Sequence, residues 1–269
     1  MHAAPAGDTA VDTALAWDSL AVELAAWQAA GKTARLFWRD DDATRPGPVL
    51  DRLFAVTAAA DAPLMLAVIP ADAVAELGDA VAAAAHVSPV QHGWAHVNHA
   101  RGSGDKGAWE LGLHRGAAAV LADLEQGRAR CADLFGAAFL PVVVPPWNRI
   151  DAALFPELAA RGWRGVSAFG RRSTAQPVAG FAIANTHVDP IRWKDGARFA
   201  GTAKTLAKLT DELAARRTGA ADDGEAIGLV THHIALDAQG WDFVARLGGV
   251  IAAHAAARWI APADLFAGA

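Results

Sequence analysis

Residues 91 to 99 read QHGWAHVNH, with His92 and His96 four positions apart and His99 three further on. On a helical turn or in a tight loop, side chains at i and i+4 face the same way. Two imidazoles so placed can bind one cation through ring nitrogens at about 2.0 to 2.1 Å, provided a carboxylate or third nitrogen completes the face and one position stays open for water. Carboxylates are at hand in RDDDA, residues 39 to 43, as Asp40, Asp41 and Asp42. Three adjacent like charges repel unless a basic group or cation offsets them. Arg39 can offset one and a divalent ion another, leaving an aspartate free to take a proton from metal-bound water whose pKa is lowered toward about 7. An isolated histidine pair is more often a solvated loop, and Asp is common in turns and at helix starts. His232 and His233, closing the apolar run of LVTHH, tilt the balance toward ligation.

Apolar runs of strand length lead into these clusters. ARLFW (34–38) runs into the aspartates, VSPVQ (87–91) into the histidines, FLPVVV (139–144) into PPWNR, and AIGLVT (226–231) into the histidine pair. PLMLAVIP (63–70), WRGVSAF (163–169) and RWIAP (258–262) are further strand candidates. Between them lie helical patterns: an appended amphipathic helix over 8–31 stopped by Gly31, segments beginning VLDRLF, ADAVAE, IDAALF and GTAKTL, and helices over 115–134 and 241–256. A polar loop, ARGSGDKG (100–107), and an irregular stretch, ANTHVDPIRW (184–193), complete the chain. Apolar strands without two-residue alternation, each followed by a helix, predict a parallel sheet covered by helices. The expected architecture is α/β, a single distorted (β/α) barrel of about seven parallel strands over 1–269, in which strand C-termini converge on one mouth. No G-x-G-x-x-G follows the first strand, which argues against dinucleotide binding.

Composition narrows the partners. Hydrophobic residues make up 53% and charged residues 20%, as in globular chains. Lys plus Arg number 24 against 29 Asp plus Glu, so no basic surplus invites nucleic acid. Cys131 is the lone cysteine, which excludes a disulfide within the chain. The first 32 residues lack a basic segment followed by an unbroken apolar run, and no apolar stretch reaches membrane-spanning length; a cytoplasmic chain with no membrane partner is expected. Among ten tryptophans, Trp17 and Trp27 read as core, whereas Trp94, Trp147 and Trp193 lie beside the polar clusters.

RDDDA, HGWAH, VPPWN and LVTHH, in that order and each after a strand, resemble the successive motifs of the NodB-homology polysaccharide deacetylases, carbohydrate esterase family 4. The resemblance runs from the first strand to the last helices. It implies Asp41 as catalytic base and Asp42, His92 and His96 as ligands of a divalent metal, zinc by default. It further implies that Trp147, after Pro145 and Pro146, lines the site and offers a backbone N–H to the oxyanion, and that His232 is the general acid. The reaction implied is removal of an N-acetyl group from an amino sugar; for a cytoplasmic chain, the expected substrate is a soluble saccharide, an oligosaccharide or a related small amide. Asp40 takes a position usually apolar, and Val144 stands where the family has an arginine that orients the base, making Arg39 and Arg149 the candidates for that role. The fourth motif is matched loosely by Asp189 and Trp193. Thr231 replaces a leucine, and His233 follows His232, although strand alternation sends these two to opposite faces. Asn98 and His99 are read as orienting neighbours or facing solvent, and Asn148, next to Trp147, is a further candidate site residue. Glu110 and His114 could reach the site, while a helix-start carboxylate explains Glu110 equally well. Two rival readings are a different carbon–nitrogen hydrolase acting on ureides or formamides, and a non-catalytic carbohydrate-binding relative.

Overall fold

The computed structural model describes residues 8–101 and 107–267; the polar loop expected over 100–107 lies mostly outside them. Its strands are β1 (Ala34–Ala43), β2 (Leu64–Val68), β3 (Val87–His92), β4 (Val142–Val144), β5 (Gly165–Val166), β6 (Ala182–Ile183), β7 (Thr186–Val188), β8 (Ile191–Arg192), β9 (Arg198–Phe199), β10 (Ile227–Thr231) and β11 (Ala257–Trp259). The helices are α1 (Ala10–Ala29), α2 (Pro48–Ala59), α3 (Glu76–Ala82), α4 (Ala117–Phe135), α5 (Phe155–Ala160), α6 (Thr202–Thr218), α7 (Ala238–Ala253) and α8 (Pro262–Leu265).

Parallel pairing runs in the order β6-β5-β4-β3-β2-β1-β10-β7, with β11 added on β1. Only Ala184 and Asn185 separate β6, which pairs with β5, from β7, which pairs with β10. The two ends of that order are therefore one segment, and the sheet curls into the distorted barrel expected. The segment 184–193 is not irregular, as its sequence suggests. It supplies β7 and the first strand of the antiparallel β8–β9 hairpin. β7 is three residues long with His187 at its centre and Asp189-Pro190 behind it, too short and too polar to show as an apolar run.

The unbroken apolar runs serve an inner core and two outer ones, Val143 and Val166 packing with Leu124, Leu158 and Phe181 in the smaller outer cluster. Leu64, Leu66 and Val68 pack outward with Leu36, Trp38 and helix residues such as Leu53, Val244 and Leu247. Met65 and Ala67 point the other way and join Phe37, Val90, Val142 and Val144 inside the barrel, with Phe266 after α8. Helix α1 begins with a capping box in which Thr9 and Asp12 bond reciprocally, and Trp17, Leu20, Leu24 and Trp27 are buried against the body. It is tied to α6 by Arg217, whose Nε lies 2.7 Å from Glu23 Oε1.

Gly228 shows how closely the closing strands approach. A Cβ there would lie 2.5 Å from the Phe37 ring and 2.7 Å from Thr186 Cα. Gly228→Ala is expected to destabilise the fold by about 1 to 3 kcal/mol, the usual cost of overpacking a tight core. Urea unfolding should show a lower midpoint at an unchanged slope; an unchanged midpoint would mean the barrel closes more loosely.

Candidate active site

Strand β1 does not stop at Trp38 as its apolar run suggests but continues through the aspartates to Ala43. Its register against β2 shifts between Asp40 and Ala43, and Asp42 has φ 71°. This is a bulge, in which one extra residue is accommodated and the strand is re-aimed. In a regular strand Asp41 and Asp42 would face opposite sides. Here the bulge brings both to the mouth, while Asp40 faces the helices. Asp is among the few non-glycine residues that adopt the left-handed region readily.

Three ligand-type atoms, one each from Asp42, His92 and His96, lie within 4.8 Å of one another. Nε2 of His92 is 3.1 Å and Nε2 of His96 3.6 Å from Asp42 Oδ1. That carboxylate oxygen is buried and has no hydrogen-bond partner of acceptable geometry. His92, the last residue of β3, places Nδ1 2.9 Å from the Val144 carbonyl at the end of β4. Donation to that carbonyl fixes the tautomer and leaves the Nε2 lone pair aimed at Asp42. Two imidazoles, a carboxylate and an orphaned buried oxygen fit a divalent cation.

Electrostatics agree. Burial pushes the Asp42 carboxyl up, but the contact with His92 and the charges of His92, His232 and His96 outweigh it and hold the group well below the usual carboxylate range. Burial pulls His92 down, yet Asp42 and Asp41 carry it above the ordinary histidine value. Burial and the neighbouring charge of His92 leave His96 below that value.

Asp41 is held by Arg39, two positions earlier on the same face of β1. Arg39 Nε donates to Asp41 Oδ1 at 2.8 Å and Nη2 to Oδ2 at 2.9 Å. Its remaining N–H groups go to the Ser167 and Ala168 carbonyls, to Ser167 Oγ and to Asn148 Oδ1. Every donor of a fully buried guanidinium is thus engaged, and the carboxylate is locked in a bidentate fork. Arg149 instead lies over the Trp109 ring at 4.3 Å. Removing one partner of a buried ion pair costs about 3 to 5 kcal/mol. Arg39→Met should therefore unfold at much lower denaturant than the parent, and a loss under 1 kcal/mol would show that Asp41 is not sustained by this pair.

Across the mouth, His232 follows β10 with Nε2 3.9 Å from Asp41 Oδ2. The Trp193 ring stands edge-on to it at 4.6 Å, and Trp193 Nε1 donates to Asp189 Oδ2 at 2.8 Å. Burial raises the Asp189 carboxyl, and hydrogen bonds from Trp193 and the Ile191 N–H only partly offset this. The loosely matched pair Asp189 and Trp193 is therefore a real contact against His232. Trp147, at φ 53°, packs against His96 with the rings tilted and centroids 4.3 Å apart, and remains 37% exposed.

The fold carrying this mouth has known counterparts. No protein-family profile and no curated protein matches the chain. A structure from Mycobacterium smegmatis assigned as a polysaccharide deacetylase aligns at TM-score 0.60 with 17% identity, over 87% of this chain and 88% of that one. A peptidoglycan deacetylase from Bacillus subtilis aligns at 0.53 with 13% identity, over 87% and 90%. The chitin deacetylase of Colletotrichum lindemuthianum aligns at 0.50 with 13% identity, over 88% and 89%. The chain has the polysaccharide deacetylase fold. A shared fold does not fix chemistry, which rests on the residues at the mouth.

On the polysaccharide deacetylase fold of this chain several expected residues take other places. Asp40 and His233 do not join the mouth: His233 Nδ1 lies 2.6 Å from Asp40 Oδ1, and Thr231 Oγ1 donates to Asp40 Oδ2 at 2.6 Å, all buried on the helix-facing side. The alternation that parts His232 from His233 parts Asp41 from Asp40 in the same way. Asn98 Oδ1 accepts from the N–H groups of Ala100 and Trp109 and so orients its neighbours, while His99 keeps its backbone N–H on the Trp109 carbonyl. Pro146 is buried, and its ring would lie 2.7 Å from a Cβ at Gly93, so it packs on the histidine loop. Trp94 is half-buried in that loop. Glu110 does not start a helix: it is fully buried at a bend before Leu111 and accepts backbone N–H groups from the loop. Ser167 escaped the sequence reading; its only signal was a hydroxyl within the strand candidate WRGVSAF.

Proposed function

We propose that the chain is one catalytic unit, a metal-dependent hydrolase that removes an N-acyl group, acetyl in the first instance, from an amino sugar or a related small amide. The observation that carries this is the meeting at one barrel mouth of Asp42, His92 and His96 with an arginine-locked Asp41 and His232. Shared fold with polysaccharide, peptidoglycan and chitin deacetylases supports the substrate class. Zinc is the ion proposed, because two imidazole nitrogens and one carboxylate oxygen suit it and leave a position open.

When bound, such an ion polarises the amide carbonyl and acidifies its water. Asp41, with both oxygens oriented by Arg39, accepts the proton of the attacking water. His232, opposite it, returns a proton to the departing amine, and the Trp193 edge keeps that imidazole facing the mouth. The backbone N–H of Trp147 helps hold the oxyanion. The exposed faces of Trp147 and Trp193 form apolar walls on which a pyranose ring can lie. Release of acetate from N-acetylated amino sugars and their short oligomers is the expected result of a substrate screen. Hydrolysis of a ureide or formamide with every acetylated sugar inert points to the rival hydrolase, and turnover of none to a binding protein.

Metal uptake should strengthen with pH. His92 sits above its ordinary value of 6.5 in the metal-free fold, so below that raised value an ion must displace its proton. Affinity should climb by up to about tenfold per pH unit until His92 is neutral and then level off. The sign is opposite for the metal-free fold: protonated His92 beside ionised Asp42 contributes stability that is complete below pH 6.5 and lost as pH rises through the raised His92 value. Calorimetric titrations in buffers of different ionisation enthalpy would report the released proton; an affinity that falls with rising pH contradicts the assignment.

A further inference from the structure

We infer that Glu110 is the positioning residue of the metal loop, an internal anion around which the backbone between His92 and His96 is wrapped. This rests on the metal-centre reading above and extends it to a residue that touches neither ion nor substrate.

Glu110 is fully buried. Its Oε2 accepts the Trp94 N–H at 3.2 Å, and Oε1 accepts those of Ala95 at 2.9 Å and Val97 at 3.4 Å. Three N–H groups of the five residues following His92 therefore converge on one carboxylate, as they would on a bound anion in a backbone nest. The loop turns sharply to reach it: Gly93 has φ 57°, which glycine adopts freely, and His96, a ligand, holds the strained value of 55°. Gly93 leaves the space this needs, since a Cβ there would fall 2.0 Å from Glu110 Oε2. Left-handed backbone at a non-glycine residue persists only where its surroundings over-determine it. For His96 the over-determination comes from the amides bound to Glu110 on one side and from the Trp147 ring at 4.3 Å on the other. The Glu110 segment is itself anchored, because Leu111 bridges to Ile150 and the Trp109 carbonyl accepts the His99 N–H. A carboxylate bound to the amides on both sides of His96 also favours a cation held by that residue.

The experiment is a zinc titration of chelator-stripped parent, Glu110→Gln, His96→Asn and the double variant, alongside thermal unfolding of each stripped protein. Gln keeps the shape but offers one acceptor oxygen in place of two and no charge. Glu110→Gln should weaken zinc binding about 10- to 100-fold, the range for supporting partners of metal ligands. That loss should vanish in the His96→Asn background, which a merely structural role would not produce. Parent-like affinity in Glu110→Gln, or an equal loss with and without His96, overturns the inference while leaving the metal centre intact. Failure of the parent itself to take up a divalent ion overturns the reading beneath it. If Glu110→Gln does not fold, amide hydrogen exchange on the stripped parent decides: protected Trp94 and Ala95 amides support the clamp, and exchange at unstructured rates refutes it.

Discussion

Asp41→Asn is expected to lower kcat by about a thousandfold while the protein still binds one divalent ion per chain. The magnitude follows from the size of general-base catalysis, about 10² to 10⁴. Asn cannot accept a proton, and its amide turns an N–H toward the guanidinium that now donates to both Asp41 oxygens at 2.8 and 2.9 Å. Because Asp41 carries transition-state chemistry rather than ligand binding, KM should move only a few-fold. Steady-state kinetics at saturating metal, paired with metal analysis, separates the two functions. Loss of the ion together with the rate would instead assign Asp41 to the ligand set.

Asp42→Asn should do the reverse and remove the ion. Loss of a supporting partner alone costs a metal site about 10- to 100-fold in affinity, so loss of a charged ligand should exceed that. Asn is chosen because it tolerates the left-handed backbone that Asp42 adopts at φ 71°. With the carboxylate gone, the Asp42 contact that offsets burial at His92 is lost while Asp41 and the Val144 carbonyl remain, and its pKa should fall from the raised position it holds beside Asp42. An NMR titration of the metal-free variant reads this directly. An unchanged His92 value, or zinc binding as tight as the parent's, would place the ion elsewhere.

The contrast between these neighbouring aspartates shows where sequence reading succeeds and where it stops. Acidic and histidine clusters after apolar runs were legible because a parallel barrel delivers strand ends to one mouth, whatever the loop details. The bulge that turns Asp41 and Asp42 to the same side was not legible. It depends on a register slip against β2 that no local preference announces. Nor was the full length of β1, since charged residues resemble a loop until Arg39 and Asp41 are seen to satisfy each other. Choosing Arg39 over Arg149 to hold the base required tertiary placement: both are near in sequence to a motif, but only Arg39 lies two residues from Asp41 on one strand face. Glu110 was noticed for its proximity but left open between a site residue and a helix start, because its partners are backbone amides more than ten residues away.

The most direct test follows amine release from an N-acetylated amino sugar while zinc is added back to chelator-stripped protein. The expected result is no turnover without metal, a rate that rises in proportion to zinc and a plateau at one equivalent per chain, with Asp41→Asn flat throughout. Turnover that survives stripping, or that is absent at every zinc concentration while the ion demonstrably occupies Asp42, His92 and His96, contradicts a metal-dependent deacylase at this mouth.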